Sequence, residues 1–111
     1  MTRMVCIHEF EPKPGVNQAD LEQAVRAFVA QPLLSGWRSA LLKSDRGTRS
    51  GGVGLLFEVE SIEARNRLNP GDGFSEEFDQ FLASHPEWMP AWEHLQSLIV
   101  QPNPWNDYLV L

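Results

Sequence analysis

Two hydrophobic periods alternate along this chain, and the switches between them mark its elements. From Met4 to Phe10, the positions Met4, Cys6, His8 and Phe10 interleave with Val5, Ile7 and Glu9. Both sets are largely apolar, which predicts a strand covered on both faces. Pro12, Pro14 and Gly15 break the chain, and Asn17 offers a cap to a following helix. Leu21, Ala24, Val25, Phe28 and Val29 recur there at helical spacing, and Pro32 stops the run. Residues 37–43 read as a second strand and 53–60 as a third, with Val53, Leu55, Phe57 and Val59 on one face. The polar, Gly-containing stretch 44–52 between them has the chemistry of a hairpin loop.

Ser61 predicts a cap for a short helix running from Ile62 to Leu68, and the Asn-Pro-Gly-Asp-Gly run at 69–73 must be a turn. A new helix follows from about Ser75, with Phe78, Phe81 and Leu82 on one face. Ser84 and Glu87 have the spacing of a capping box and predict another helix start, where Trp88, Trp92, Leu95 and Ile99 share a stripe. Pro90 inside that segment implies a kink, or a start one turn later. Beyond Pro102 and Pro104, residues 108–111 can supply a fourth strand.

The order is β-α-β-β-α-β with the second helical region in pieces: an α+β, ferredoxin-like arrangement, an antiparallel sheet with helices on one face. A chain of 111 residues is expected to form one domain, residues 1–111. Its strands are nonetheless apolar on both sides, so a monomer would leave one sheet face in water. A homodimer packed sheet to sheet is the expected remedy.

Composition narrows the partners. The net charge of −6 comes with basic residues that are scattered apart from Arg46 and Arg49, so no footprint for a phosphate backbone exists and nucleic acid is not expected. No apolar run approaches the roughly 20 residues of a membrane span, and the first ten residues are too polar for a signal peptide. A cytoplasmic protein without a membrane partner is the expectation, and the lone Cys6 agrees with a reducing compartment.

Three stretches resemble the dimeric α/β-barrel superfamily, which includes stress-responsive A/B-barrel proteins, antibiotic-biosynthesis monooxygenases and EthD-like proteins. They are Phe10-Glu11-Pro12-Lys13-Pro14-Gly15-Val16 after strand one, Leu56-Phe57-Glu58-Val59-Glu60-Ser61 after strand three, and His85-Pro86 before the last helix. The resemblance implies a cavity between sheet and helices that takes small, often aromatic or polyketide-like molecules. The second histidine that some members carry two residues after that proline is Trp88 here, so no inherited catalytic set transfers intact.

His8 is the first candidate for catalysis, because an imidazole facing a cavity can move a proton near neutral pH; a core histidine satisfied by a backbone group is the plainer alternative. His85 is the second, on the cavity position that the resemblance implies, against a capping or packing role. Trp37, Trp88, Trp92 and Trp105 suit either the core or stacking on an aromatic ligand, and Trp37, Trp88 and Trp92 are the candidates for binding one. Glu58 becomes an acid or base only if it points into the cavity. Cys6 shares the His8 face, yet an inert buried thiol needs no further partner. No metal site is expected, since the three histidines lack ligand spacing, and no cofactor fingerprint is present. The expected function is therefore a cofactor-independent, monooxygenase- or cyclase-like enzyme acting on a small aromatic or polyketide-like molecule. The alternatives are a non-catalytic dimeric stress-related or small-ligand-binding protein, and a haem binder.

Overall fold

In the computed structural model, which describes residues 2–111, these periods become four strands and four helices. They run β1 (Met4–Phe10), α1 (Gln18–Val29), β2 (Trp37–Lys43), β3 (Val53–Val59), α2 (Ile62–Leu68), α3 (Glu76–Ser84), α4 (Trp88–Ser97) and β4 (Trp105–Leu109). The sheet order is β2-β3-β1-β4 with every neighbouring pair antiparallel, which is the ferredoxin-like topology. No helix among the described residues is long and apolar enough to cross a membrane.

Local chemistry places three of the helix starts. The side-chain oxygens of Asn17, Ser61 and Ser75 accept from the backbone N–H groups of Asp20, Ala64 and Phe78, at 2.8, 3.1 and 3.2 Å. The fourth start departs from expectation. Ser84 closes α3 instead of capping α4, and Glu87 precedes α4 without a side-chain cap. Pro90 thereby falls in the first turn of α4, where its missing N–H would have had no intrahelical partner anyway. The fourth strand also begins three residues earlier than its apolar tail suggests, at Trp105.

Strand register decides which side chains meet the helices. Cys6 lies opposite Phe57 and Asp107, and His8 opposite Leu55 and Trp105. Because side chains alternate in a strand, Met4, Cys6, His8 and Phe10 share one face with Val53, Leu55, Phe57 and Val59. The core forms where that face meets α1 and α4, around fully buried Phe10, Leu21, Val25, Phe28, Leu55 and Leu95. Gly54 keeps the two central strands close: a Cβ there would stand 2.8 Å from the carbonyl oxygen of His8.

Among the described residues no helix covers the opposite face. Val5, Ile7, Ala40, Leu42, Leu56 and Tyr108 lie there in adjacent rows. Tyr108 is 51% and Val110 40% exposed. Glu58 is on this face too.

Candidate functional site

Sheet and helices enclose between them a cavity of about 340 Å³. Its floor is the helix-facing side of β1, β3 and β4, giving Cys6, His8, Phe57, Trp105 and Asp107. Its walls are Trp37 from β2, Arg65 from α2, Phe78 and Phe81 from α3, and Trp88 and Trp92 from α4, with Phe74 from the turn before α3. Eight aromatic rings thus surround a space that is polar only along one side. A wider hollow of about 610 Å³ beyond the other end of β1 is open to solvent and has no aromatic lining.

His8 lies among these rings. Its imidazole stacks at 24° on Trp105, with centroids 6.1 Å apart, and meets Trp92 and Phe57 edge to face at 6.0 and 5.8 Å. Burial holds its pKa below the ordinary histidine value of 6.5, with the Asp107 carboxylate pulling the other way. The ring is therefore neutral at pH 7. Trp88 and Trp92 stack on each other at 21°, one helical turn apart, and Trp37 packs edge to face on Phe57. The Trp88 indole N–H is buried without an oxygen or nitrogen partner. Phe28 and Phe78 stand nearly perpendicular to that indole at 5.1 and 5.4 Å, so Trp88 is core as much as wall.

The polar side of the cavity comes from residues far apart in sequence. Arg65 donates to the Asp107 carboxylate at 2.9 Å. Burial pushes the neighbouring Cys6 thiol up to about 12, and Asp107 adds to the shift by accepting its hydrogen bond and by its charge. Cys6 is accordingly a protonated donor and no nucleophile. Against an ordinary thiol of pKa 9.0, its thiolate fraction at pH 8 is on the order of a thousandfold smaller. Alkylation by iodoacetamide at that pH is expected to be slower by about that factor in the native state than in 8 M urea, as followed by mass. Equal rates would place the thiol in solvent. Because the folded thiol holds its proton above 9.0, Cys6 costs the fold stability as pH rises from there towards 12.

Two of the residues expected at the site are elsewhere. Glu58 points to the open sheet face, since Phe57 and Val59 on either side of it point inward, and it is paired with Arg3 at 3.5 Å and Arg38 at 3.0 Å. It does not border the cavity. His85 follows the last residue of α3, where its Nδ1 lies 3.0 Å from the Phe81 carbonyl and its ring packs on that of Phe81 at 4.3 Å. That is a packing and capping role, and His85 is likewise absent from the cavity lining. His8, Trp37, Trp88 and Trp92 are the expected residues that the fold does bring together. Trp105 joins them from β4, and Asp107 and Arg65 are additions not singled out from the sequence. Alternation of Trp105, Asp107 and Leu109 was the available signal, and starting the last strand at residue 108 hid it.

The fold and this cavity define an α+β, ferredoxin-like protein with an aromatic pocket between sheet and helices. Among solved structures the chain is similar to Rv0793 from Mycobacterium tuberculosis, at 14% identity over 98% of this chain and 95% of that one, with a TM-score of 0.61. It is similar to a dimeric protein of unknown function and ferredoxin-like fold from Bacteroides fragilis NCTC 9343, at 17% identity, 97% and 96% coverage and a TM-score of 0.57. It also resembles SnoaB, a cofactor-independent oxygenase from Streptomyces nogalater, at 16% identity, 100% and 93% coverage and a TM-score of 0.51. No family model and no curated protein matches the sequence. These likenesses show the ferredoxin-like fold.

Proposed function

We propose that this protein is a cofactor-independent enzyme, monooxygenase- or cyclase-like, acting on a small aromatic or polyketide-like molecule held in the cavity. One observation carries the reading: His8, neutral and partly open to the cavity, sits in a wall of indole and phenyl faces that suit a flat ring system. Arg65, Asp107 and Cys6 are occupied with one another, which leaves His8 as the group to meet a ligand oxygen. Trp37, Trp88 and Trp92 would hold the ring. The working unit in this reading is a cytoplasmic homodimer formed through the open sheet faces, as the apolar rows on that face and the dimeric neighbour of the same fold support.

The test is oxygen uptake with 1,8-dihydroxyanthrone and no added cofactor, with the anthraquinone product followed by absorbance. The wild type is expected to exceed the buffer rate, and His8→Gln to lose at least about a hundredfold of that excess. Equal rates for the two proteins would remove His8 from the chemistry. The nearly all-hydrocarbon lining favours one second reading, a non-catalytic small-ligand binder. Quenching of tryptophan fluorescence by 1,8-dihydroxyanthraquinone without any turnover would select it.

A further inference from the structure

His8 has a second neighbour whose geometry bears on how the site works. The side-chain Nδ2 of Asn103, in the loop before β4, lies 3.2 Å from His8 Nδ1. The Asn103 amide oxygen, by contrast, is sealed from solvent and has no hydrogen-bond partner. Together these two facts give the contact a direction. With the amide nitrogen towards the ring, one N–H donates to Nδ1 and the atom sealed without a partner is a carbonyl oxygen. Turned over, the oxygen would accept from an Nδ1–H, and the NH2 group with its two donors would occupy the place where no acceptor exists. Two buried, unpaired N–H groups cost more than one under-satisfied carbonyl oxygen. Nδ1 is therefore the acceptor.

A neutral imidazole carries a single N–H, so a proton excluded from Nδ1 must sit on Nε2. Nε2 has no hydrogen-bond partner among the described residues and is not sealed off, and the space that His8 borders is the aromatic cavity. The rings of Phe10, Phe57, Trp92 and Trp105 around it offer no oxygen. The Asp107 carboxylate is engaged by Arg65 and Cys6. We infer that Asn103 is a positioning residue that fixes His8 as the Nε2–H tautomer, so that the site presents a hydrogen-bond donor, rather than a base, to an oxygen of its ligand. The ligand is then a ring system with a carbonyl or phenolate oxygen directed at β1, and the donated bond strengthens as negative charge gathers on that oxygen. The ligand half of this inference rests on the cavity reading above. The tautomer half stands on the protein alone.

The experiment is a long-range 1H–15N correlation on ligand-free protein with 15N-labelled histidine at pH 7.5. Wild-type His8 is expected to show a protonated, pyrrole-type Nε2 and a pyridine-type Nδ1. In Asn103→Asp the carboxylate can only accept, so the proton is expected to move to Nδ1. In Asn103→Leu, with no donor, the preference is expected to fall towards a mixture. A pyridine-type Nε2 in the wild type overturns the inference without recourse to any variant. So does an Nε2–H pattern that both substitutions leave unchanged in folded protein. Binding of 1,8-dihydroxyanthraquinone, read by tryptophan quenching, is expected to weaken at least tenfold in Asn103→Asp. Absence of binding to the wild type would instead sink the cavity reading and leave the tautomer assigned.

Discussion

Replacing Phe28 by alanine is expected to lower the stability of the fold by about 3–5 kcal/mol, measured by urea denaturation. Phe28 is 1% exposed and lies on the inner stripe of α1. Its ring meets Trp88 and Trp92 at 5.1 Å each and Phe57 at 6.0 Å, so it joins the first helix to the last and both to the sheet. Truncation would leave a void that these large, rigid rings cannot close by small shifts. Domains have only about 5–15 kcal/mol of stability in total, so a large share of the molecules would unfold on mild heating. The same void would lie behind Trp88 and Trp92, so ligand binding is expected to suffer even in the folded fraction. Phe74→Ala is the control: that ring is 63% exposed, and its loss is expected to cost within about 0.5 kcal/mol. A Phe28→Ala cost no larger than the control's would show that the two helices do not depend on this ring.

Replacing Leu56 by aspartate is expected to convert the proposed dimer to monomer, with a dissociation constant raised a thousandfold or more. Leu56 sits on the open sheet face directly between Ile7 of β1 and Ala40 of β2, at the centre of the apolar rows. Two-fold symmetry makes each substitution count twice, and each would bury a carboxylate with no cation beside it. At about 2 kcal/mol or more per copy the sum reaches three decades in affinity. Arg3 and Arg38, the cations on that face, are already committed to Glu58. Sedimentation velocity at micromolar concentration separates the outcomes. A wild type that sediments as a monomer would remove the dimer itself, and a variant that remains dimeric would place the interface elsewhere. Because Leu56 faces away from the helices, the monomeric variant should keep its core intact.

The elements of this fold were legible because their signals are local. Asn17, Ser61 and Ser75 cap helices through groups only three residues away, and the period of two in 53–59 depends on nothing beyond the strand. Ser84 misled for a reason of the same kind: its spacing to Glu87 fits a capping box, yet Phe78 and its neighbours hold α3 in helical form through Ser84 itself. The start of the strand at 105–109 is hidden in the sequence because its first residues include Asn106 and Asp107. Polar residues suit an edge strand well enough when one of them, Asp107, finds Cys6 beside it on β1 and Arg65 on the cavity wall.

What the sequence determined by itself was the β-α-β-β-α-β order, the shared face of Val53, Leu55, Phe57 and Val59 on β3, and the buried stripe of α1. Those follow from periodicity and from the few ways a sheet can be covered. Only the tertiary structure decided that His8 borders the cavity while His85 and Glu58 do not, that Asp107 and Arg65 line it too, and that Asn103 stands against His8. Asn103 and His8 are 95 residues apart, and Arg65 and Asp107 are 42 apart. Contacts of that length are set by strand order and register, and no local pattern of residues encodes them.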